Sequence, residues 1–150
     1  MFLWRISNYP TIDGGGGLET SARWHTQGQL IVYLAETVAG ALLEVLVHLE
    51  LGPVRLPRSY RLLKIEAPDN VSIHAVSAAD LREGWTEDET LTRTIGDEWL
   101  ASKRSALLRV PSAIAPETFN MLLNSAHEQV RWLKIVSHYE YPWDLRLVSR

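Results

Sequence analysis

The sequence has no cysteine among its 150 residues, and this absence excludes several kinds of chemistry at once. Without thiols the chain forms no disulfide, offers no thiolate to zinc and has no cysteine nucleophile. It also lacks an apolar run near the roughly 20 residues that span a bilayer, and its first residues lack the features of a secretory signal. We therefore expect a cytoplasmic protein without membrane contact.

Positive charge is also in short supply. Fifteen Lys and Arg against 18 Asp and Glu give a net charge of −3, whereas proteins that grip a phosphate backbone are usually basic. We therefore expect no direct contact with nucleic acid. An apolar fraction of 46% and a charged fraction of 22% are typical of a globular domain. The length suits one core, and we predict a single domain over residues 1–150.

The apolar pattern predicts more strands than helices. Predicted strands are Phe2–Ser7, Gln29–Ala35, Tyr60–Ile65, Val71–Ala75 and Ser105–Val110, with two more in the tail Val130–Val148, turned at Pro142. Predicted helices are Val38–Leu51, capped by Thr37 and ended by Gly52-Pro53, and two short ones at Ser77–Leu81 and Asp97–Lys103. Because strands rarely alternate with helices, the pattern favours an α+β fold over a doubly wound sheet.

Four consecutive glycines, Gly14 to Gly17, invite a dinucleotide-binding interpretation that their surroundings do not support. That motif needs a strand before the glycines and a helix directly after, so that the helix N-terminus meets the pyrophosphate. Here Pro10 precedes the run, and Leu18 to Gly28 has no helical apolar period. We interpret residues 10–28 as a loop, either mobile or placed beside a ligand.

Glu44 is the most unusual residue of the long predicted helix, because its neighbours are almost all apolar. A carboxylate in such surroundings is costly unless it is paired or faces a polar cleft. Gly40 and Ala41, one turn earlier, leave space over its face. Glu44 is therefore either a structural ion-pair member or a functional carboxylate. With His48 it forms an ordinary helix pair rather than a metal site.

Arg23 and Ser112 are the other polar groups that the residues themselves single out. Arg23 lies in an otherwise neutral loop and suits a phosphate or carboxylate; the alternative is a surface arginine stacked on Trp24. Ser112 has no Gly-x-Ser-x-Gly elbow around it, so a serine nucleophile is unsupported. None of the five histidines forms a His-Glu-x-x-His pattern, and we predict no metal site.

Five blocks in a fixed order give the sequence a family resemblance. They are Ser21-Ala-Arg-Trp-His-Thr-Gln-Gly28, Ile31-Val-Tyr-Leu-Ala-Glu36, Ala41-Leu-Leu-Glu-Val-Leu-Val-His-Leu49, Leu108-Arg-Val-Pro-Ser112 and Asn124-Ser-Ala-His127. Together they resemble the RES-domain toxins of RES–Xre toxin–antitoxin pairs, over essentially the whole chain. Two positions depart from the family pattern: Ser21-Ala22, where Gly-Gly is common, and Asn124-Ser125, where Asn-Pro is common.

The resemblance implies a fold similar to the ADP-ribosyltransferases, a single α+β domain with a split mixed central sheet and flanking helices. It implies a bacterial enzyme that depletes NAD⁺, as substrate rather than cofactor, by cleaving the nicotinamide–ribose bond through hydrolysis or phosphorolysis. Transfer of ADP-ribose to a macromolecule and a non-catalytic nucleotide- or partner-binding module are the alternatives. The implied partner is a cognate Xre-type antitoxin, through which alone the toxin would contact DNA.

The resemblance also assigns site residues, position by position. The catalytic set is Glu44, Arg23 and Tyr33, and the substrate-binding set adds Arg5, Ser112 and Asn124. Cleavage passes through an oxocarbenium-like ribosyl cation, and nicotinamide leaves as a neutral molecule, so no general acid is required. An arginine for the pyrophosphate, a ring with a hydroxyl and a carboxylate near the developing cation suit this reaction.

Overall fold

A computed structural model describes residues 1–49 and 58–147 of the chain. In chain order its strands are β1 (Phe2–Ser7), β2 (Ile31–Ala35), β3 (Arg61–Glu66), β4 (Ile73–Ala75), β5 (Leu107–Pro111), β6 (Phe119–Asn124) and β7 (Lys134–Glu140). Its α-helices are α1 (Gly16–Glu19), α2 (Val38–His48) and α3 (Glu89–Ser102). Short 3-10 turns occupy Ala78–Asp80, Trp85–Glu87, Glu128–Trp132 and Leu145–Leu147.

The strands of the described residues form one mixed sheet in the order β4-β5-β6-β2-β1-β3-β7. Strands β4 and β5 run parallel, and the other neighbours run antiparallel. β1 pairs with β3 along its whole length but meets β2 only where Trp4 lies opposite Ala35. The sheet is therefore split into two halves, β4-β5-β6-β2 and β1-β3-β7. This confirms the predicted α+β fold with a split mixed sheet and flanking helices.

Helices α2 and α3 cover the same face of the sheet. Ala41 of α2 packs with Ile6, Ala35 and Leu62, and Trp99 and Leu100 of α3 pack with Ile31, Leu108, Val110 and Leu122. Ile31, Tyr33 and Ala35 share one face of β2 because side chains alternate along a strand, and Val32 and Leu34 face the opposite cluster. The middle of β2 therefore places Tyr33 on the sheet face that the two helices cover.

Helix α2 begins as predicted, and α3 begins earlier than predicted. The Thr37 hydroxyl accepts a hydrogen bond of 2.9 Å from the Gly40 N–H, which caps α2; the predicted end at residues 50–53 lies outside the described residues. Asp88 caps α3 by accepting from the Leu91 N–H at 3.0 Å. The first half of α3 was not predicted, because it contains three threonines and is followed by Gly96, and both residue types are weak helix formers.

Other elements also differ from the sequence expectations. β6 was not predicted, because its apolar centre is short and Asn occupies both ends of the segment from residue 120 to residue 124. The described part of the tail forms one strand, β7, rather than two. Val130 lies within a 3-10 turn, and Leu145–Leu147, after Pro142, form a second 3-10 turn. Val148 lies outside the described residues. The capping box at Ser77 and Asp80 is present, and it begins a 3-10 turn.

The glycine run is part of the packed structure rather than a free loop. Gly16 and Gly17 open the short helix α1, which the sequence did not predict. Gly17 is buried, and a Cβ there would lie 2.2 Å from the Gln29 carbonyl oxygen, so only glycine fits against the chain leading into β2. The run therefore serves close packing beside β2.

Candidate active site

Glu44 lies half-buried on the second turn of α2, and its carboxylate is held from one side. Its Oε1 accepts a hydrogen bond of 2.7 Å from Asn120 Nδ2 and a longer one of 3.4 Å from Ser112 Oγ. Among the described residues, no cationic side chain lies within ion-pair distance of this carboxylate. No described residue donates a hydrogen bond to its second oxygen, Oε2. The carboxylate is thus oriented by neutral groups and keeps one oxygen for a ligand.

Ser112 supports the carboxylate through a tight turn at the end of β5. Its Oγ accepts hydrogen bonds from the N–H groups of Ile114 at 3.2 Å and Ala115 at 3.1 Å. These two contacts leave the hydroxyl hydrogen to point toward Glu44. Ser112 is buried, with 9% of its surface exposed, and its hydroxyl contacts the turn and Glu44 in the structure, while its contact with substrate stays a prediction.

Asn120 is the site residue that sequence reasoning missed. It lies on β6 opposite Ala35, on the strand face that also carries Leu122. The missing signal was nonlocal, because only the pairing of β6 with β2 brings this amide to a helix 76 residues away. The one local indication was an asparagine two residues before Leu122, on the same face of an otherwise apolar segment.

Arg23 carries an unsatisfied buried donor. Its Nη1 is buried and has no hydrogen-bond partner among the described residues. A buried donor without an acceptor is costly, and a guanidinium supplies paired N–H groups that match phosphate oxygens. An anionic ligand at Arg23 would supply the acceptor that Nη1 lacks.

Tyr33 and His25 tie β2 to the loop that carries Arg23. The Tyr33 hydroxyl accepts from the Trp24 N–H at 3.1 Å and lies 2.9 Å from His25 Nδ1, while His25 Nε2 lies 2.9 Å from the Thr20 carbonyl oxygen. A carbonyl only accepts, so we assign the hydrogen to Nε2, and Nδ1 then accepts from Tyr33.

Burial keeps both partners of this pair neutral. It lowers the pKa of His25, although the Thr20 carbonyl and Asp97 oppose the change. Burial likewise raises the pKa of Tyr33, so its phenol stays protonated. The hydroxyl of Tyr33 is therefore occupied within the protein, and its half-buried ring packs against the core beneath α3 with its centre 5.7 Å from that of the His25 ring.

The two groups of polar residues lie on the same face of the sheet. Ala35 is the partner of Asn120 across β2 and β6, and Tyr33 lies two residues from Ala35 on the same strand face. Tyr33 and Asn120 are thus diagonal neighbours, whose Cα atoms are typically about 7–8 Å apart. Through Tyr33 and Asn120, the arginine loop and the carboxylate are therefore connected to neighbouring positions on one face of the sheet.

Two residues assigned from the resemblance have other partners in the structure. Arg5 donates from Nη1 to the Thr11 carbonyl oxygen at 2.8 Å, and burial lowers its pKa while Asp13 opposes the change. Asn124 is 2% exposed, donates to the Leu100 carbonyl oxygen at 3.2 Å and accepts from the Ala126 N–H at 3.1 Å. Their substrate contacts remain predictions, because the structure shows them supporting the adjoining loops.

Two features are absent from residues 1–49 and 58–147. In these ranges no three acidic or histidine side chains lie close enough together to hold a metal ion. In the same ranges no helix combines the length and apolarity that a membrane crossing requires.

The fold and the site together define an α+β domain with a split sheet, a helix carboxylate and an anion-ready arginine. The RES domain family model matches residues 2–144, and the chain belongs to this family, as its sequence blocks predicted. It is 49% identical over 135 residues to Toxin Res of Pseudomonas putida, covering 90% of this chain and 92% of that protein.

Two other comparisons extend this relationship. The chain is 36% identical over 158 residues to the Prs ADP-ribosylating toxin of Sphingobium sp., covering 99% of this chain and 97% of that protein. Its fold is similar to a chain in the crystal structure of the M. tuberculosis MbcT–MbcA toxin–antitoxin complex, with a TM-score of 0.75 at 14% identity. That match covers 93% of this chain and 83% of the other.

Proposed function

We propose that this protein is the toxin of a toxin–antitoxin pair and depletes cytoplasmic NAD⁺ by cleaving the nicotinamide–ribose bond. The observation that carries the proposal is the Glu44 carboxylate, which has one oxygen fixed by Asn120 and Ser112 and the other without a partner among the described residues. Arg23, whose buried Nη1 has no partner among the described residues, lies on the loop that Tyr33 binds on the same face of the sheet. The toxin names of similar proteins over nearly their whole length support the same conclusion.

The negatively charged pyrophosphate of NAD⁺ is the group that Arg23 binds. The pyrophosphate accepts hydrogen bonds from the Arg23 guanidinium, which gives the buried Nη1 an acceptor. The ring of Tyr33, held by its hydroxyl, packs against the nicotinamide ribose. These contacts place the bond to be broken near Glu44 and contribute by positioning rather than by proton transfer.

The bond then breaks between the ribose C1′ and the nicotinamide nitrogen. The electron pair goes to nicotinamide, which leaves neutral, and positive charge develops on the ribose. The Glu44 carboxylate stabilises this charge, and Asn120 and Ser112 keep it oriented, so little reorganisation is needed during the reaction. Water or phosphate adds to C1′ and completes hydrolysis or phosphorolysis.

Release of nicotinamide from NAD⁺ tests this proposal. The wild-type protein should release it, and Glu44→Gln should lower kcat by roughly 10² or more while binding of NAD⁺ changes little. Glu98→Gln, an exposed acidic position on α3, is the matched control and should behave like wild type. Full activity of folded Glu44→Gln would overturn the catalytic role, and inactivity of the wild-type protein would favour a binding module.

Transfer of ADP-ribose to a macromolecule is the second candidate. It is favoured by the similarity to a protein named an ADP-ribosylating toxin over 99% of this chain. Labelled NAD⁺ separates the two reactions. Free ADP-ribose or its phosphate ester indicates hydrolysis or phosphorolysis, whereas label retained on protein or nucleic acid indicates transfer.

The proposal includes an Xre-type antitoxin that covers the site. Its support is the similarity to a chain of a toxin–antitoxin complex. Co-expression with the proposed cognate antitoxin should yield a stable complex without nicotinamide release. A complex that forms and retains full activity would show that the partner does not cover the site.

A further inference from the structure

Helix α3 holds the loop that carries Arg23, here named the arginine loop and comprising residues 21–26. Three side chains of the helix bind its backbone: Arg93 Nε donates to the Ala22 carbonyl oxygen at 2.8 Å, Thr92 Oγ1 donates to the Arg23 carbonyl oxygen at 2.6 Å, and Asp97 Oδ1 accepts from the Thr26 N–H at 2.9 Å. Asp97 Oδ2 also accepts from the Thr26 hydroxyl at 2.6 Å. The helix therefore grips the loop on both sides of Trp24.

Gly96 brings the helix and the loop into direct contact. A Cβ at this position would lie 1.7 Å from the Trp24 carbonyl oxygen, which is far inside van der Waals distance. Glycine is a poor helix former, so its presence in the middle of α3 is explained by this close approach. The distance between helix and loop is thus set by the missing side chain.

The opposite side of the loop is held by the sheet. The Tyr33 hydroxyl binds the Trp24 N–H and the buried ring of His25. The loop backbone is thus fixed from α3 and from β2, whereas Nη1 of Arg23 has no partner among the described residues. A rigid backbone that presents an unpaired guanidinium is preorganised for an anion, because the cost of ordering the loop is met during folding.

We propose that Gly96 and Asp97 are positioning residues that aim Arg23 at the NAD⁺ pyrophosphate without touching it. This inference rests on the proposed function. Because α3 contacts the arginine loop and has no hydrogen bond to Glu44 among the described residues, loosening it should weaken NAD⁺ capture more than turnover. The expected signature is a raised KM with a nearly unchanged kcat.

Asp97 offers a substitution series that separates hydrogen bonding from charge. Asp97→Ala removes both contacts to Thr26. Asp97→Asn keeps an oxygen for the Thr26 N–H and presents an amide N–H that the Thr26 hydroxyl accepts, while it removes the negative charge. Two lost contacts at the loop should raise KM for NAD⁺ by about tenfold in Asp97→Ala, and Asp97→Asn should restore most of the loss.

The experiment measures KM and kcat for nicotinamide release, with melting temperatures, for the Asp97 series, Gly96→Ala and the control Glu98→Ala. Gly96→Ala should raise KM at least as much as Asp97→Ala, because it forces the helix and the loop apart. Glu98→Ala, next to Asp97 and exposed, should match wild type. An unchanged KM in Asp97→Ala, or equal defects in Asp97→Ala and Asp97→Asn, would overturn the positioning role.

Binding of ADP-ribose, followed by calorimetry, separates this inference from the proposed function. ADP-ribose contains the same pyrophosphate but no bond for the enzyme to cleave. If the wild-type protein releases no nicotinamide, the proposed function fails, and the affinities for ADP-ribose still decide the positioning role. Weaker binding by Asp97→Ala than by Asp97→Asn supports it, and equal binding by wild type and Asp97→Ala overturns it.

Discussion

The carboxylate and the arginine of the site are supported in opposite ways. At Glu44 the functional group itself is held, because Asn120 and Ser112 bind one carboxylate oxygen. At Arg23 the backbone is held by α3 and β2, while Nη1 of the guanidinium has no protein partner among the described residues. A charge that acts in the transition state needs a fixed direction, whereas a group that captures an anion needs unsatisfied donors on a fixed base.

After the loss of turnover expected for Glu44→Gln, the largest effect on this contrast is expected at Arg23. Arg23→Ala removes charge-assisted contacts that contribute about 1.5–3 kcal/mol, so KM for NAD⁺ should rise roughly 10- to 150-fold with a smaller change in kcat. Steady-state kinetics of nicotinamide release measure both. Arg23→Lys is the matched variant and should recover part of the affinity, because it keeps the charge but not the paired donors. An unaltered KM in Arg23→Ala would remove this arginine from the site.

The next effect is expected at Asn120, and it should fall on turnover instead. Asn120→Ala removes the 2.7 Å contact to Glu44, so the carboxylate loses its direction and kcat should fall about tenfold. Ser112→Ala removes the longer 3.4 Å contact and should have a smaller effect. Single-turnover measurements at saturating NAD⁺ provide the comparison. A change confined to KM in Asn120→Ala would contradict the orienting role.

A smaller effect is expected from the Tyr33 hydroxyl. Tyr33→Phe keeps the ring but releases the Trp24 N–H and the His25 ring, so the arginine loop loosens and KM should rise roughly 2- to 10-fold. Tyr33→Ala should cost more, because the ring is lost as well. If the two variants have the same kinetics, the ring makes no separate contribution to binding.

The smallest effect is a pH dependence of stability at His25. Its pKa is lower in the folded than in the unfolded protein, so the unfolded state binds more protons and the free energy of unfolding falls as pH drops below about 6.5. Protonated Nδ1 also cannot accept from Tyr33. Melting temperatures at pH 7 and pH 5 should differ more in wild type than in His25→Gln. Equal differences would show that His25 does not titrate in this window.

Local sequence pattern was enough to predict much of the fold and part of the candidate site. Weak alternation predicted β1, and a short apolar run with β-branched residues predicted β2. The Thr37 cap predicted the start of α2, and the apolar surroundings of Glu44 singled out that residue. The role of Asn120 and the contacts of α3 with the arginine loop were not predicted, because each depends on contact between segments about 70 residues apart. Local pattern specifies an element, but it does not specify which distant side chain the element will meet.

Helix α3 binds the arginine loop largely through backbone atoms of the loop, and this affects how far the sequence of the loop can vary. Arg93 and Thr92 bind the carbonyl oxygens of Ala22 and Arg23, which every amino acid supplies. Neither Ser21 nor Ala22 adopts a positive φ, so the glycines common at these positions in related proteins are not required here. Substitution should therefore be well tolerated at position 22 and poorly at position 96, where the constraint falls on the helix. At Ala22, where the grip involves only the main chain, the close packing is thus constrained by a residue more than 70 positions away in the chain.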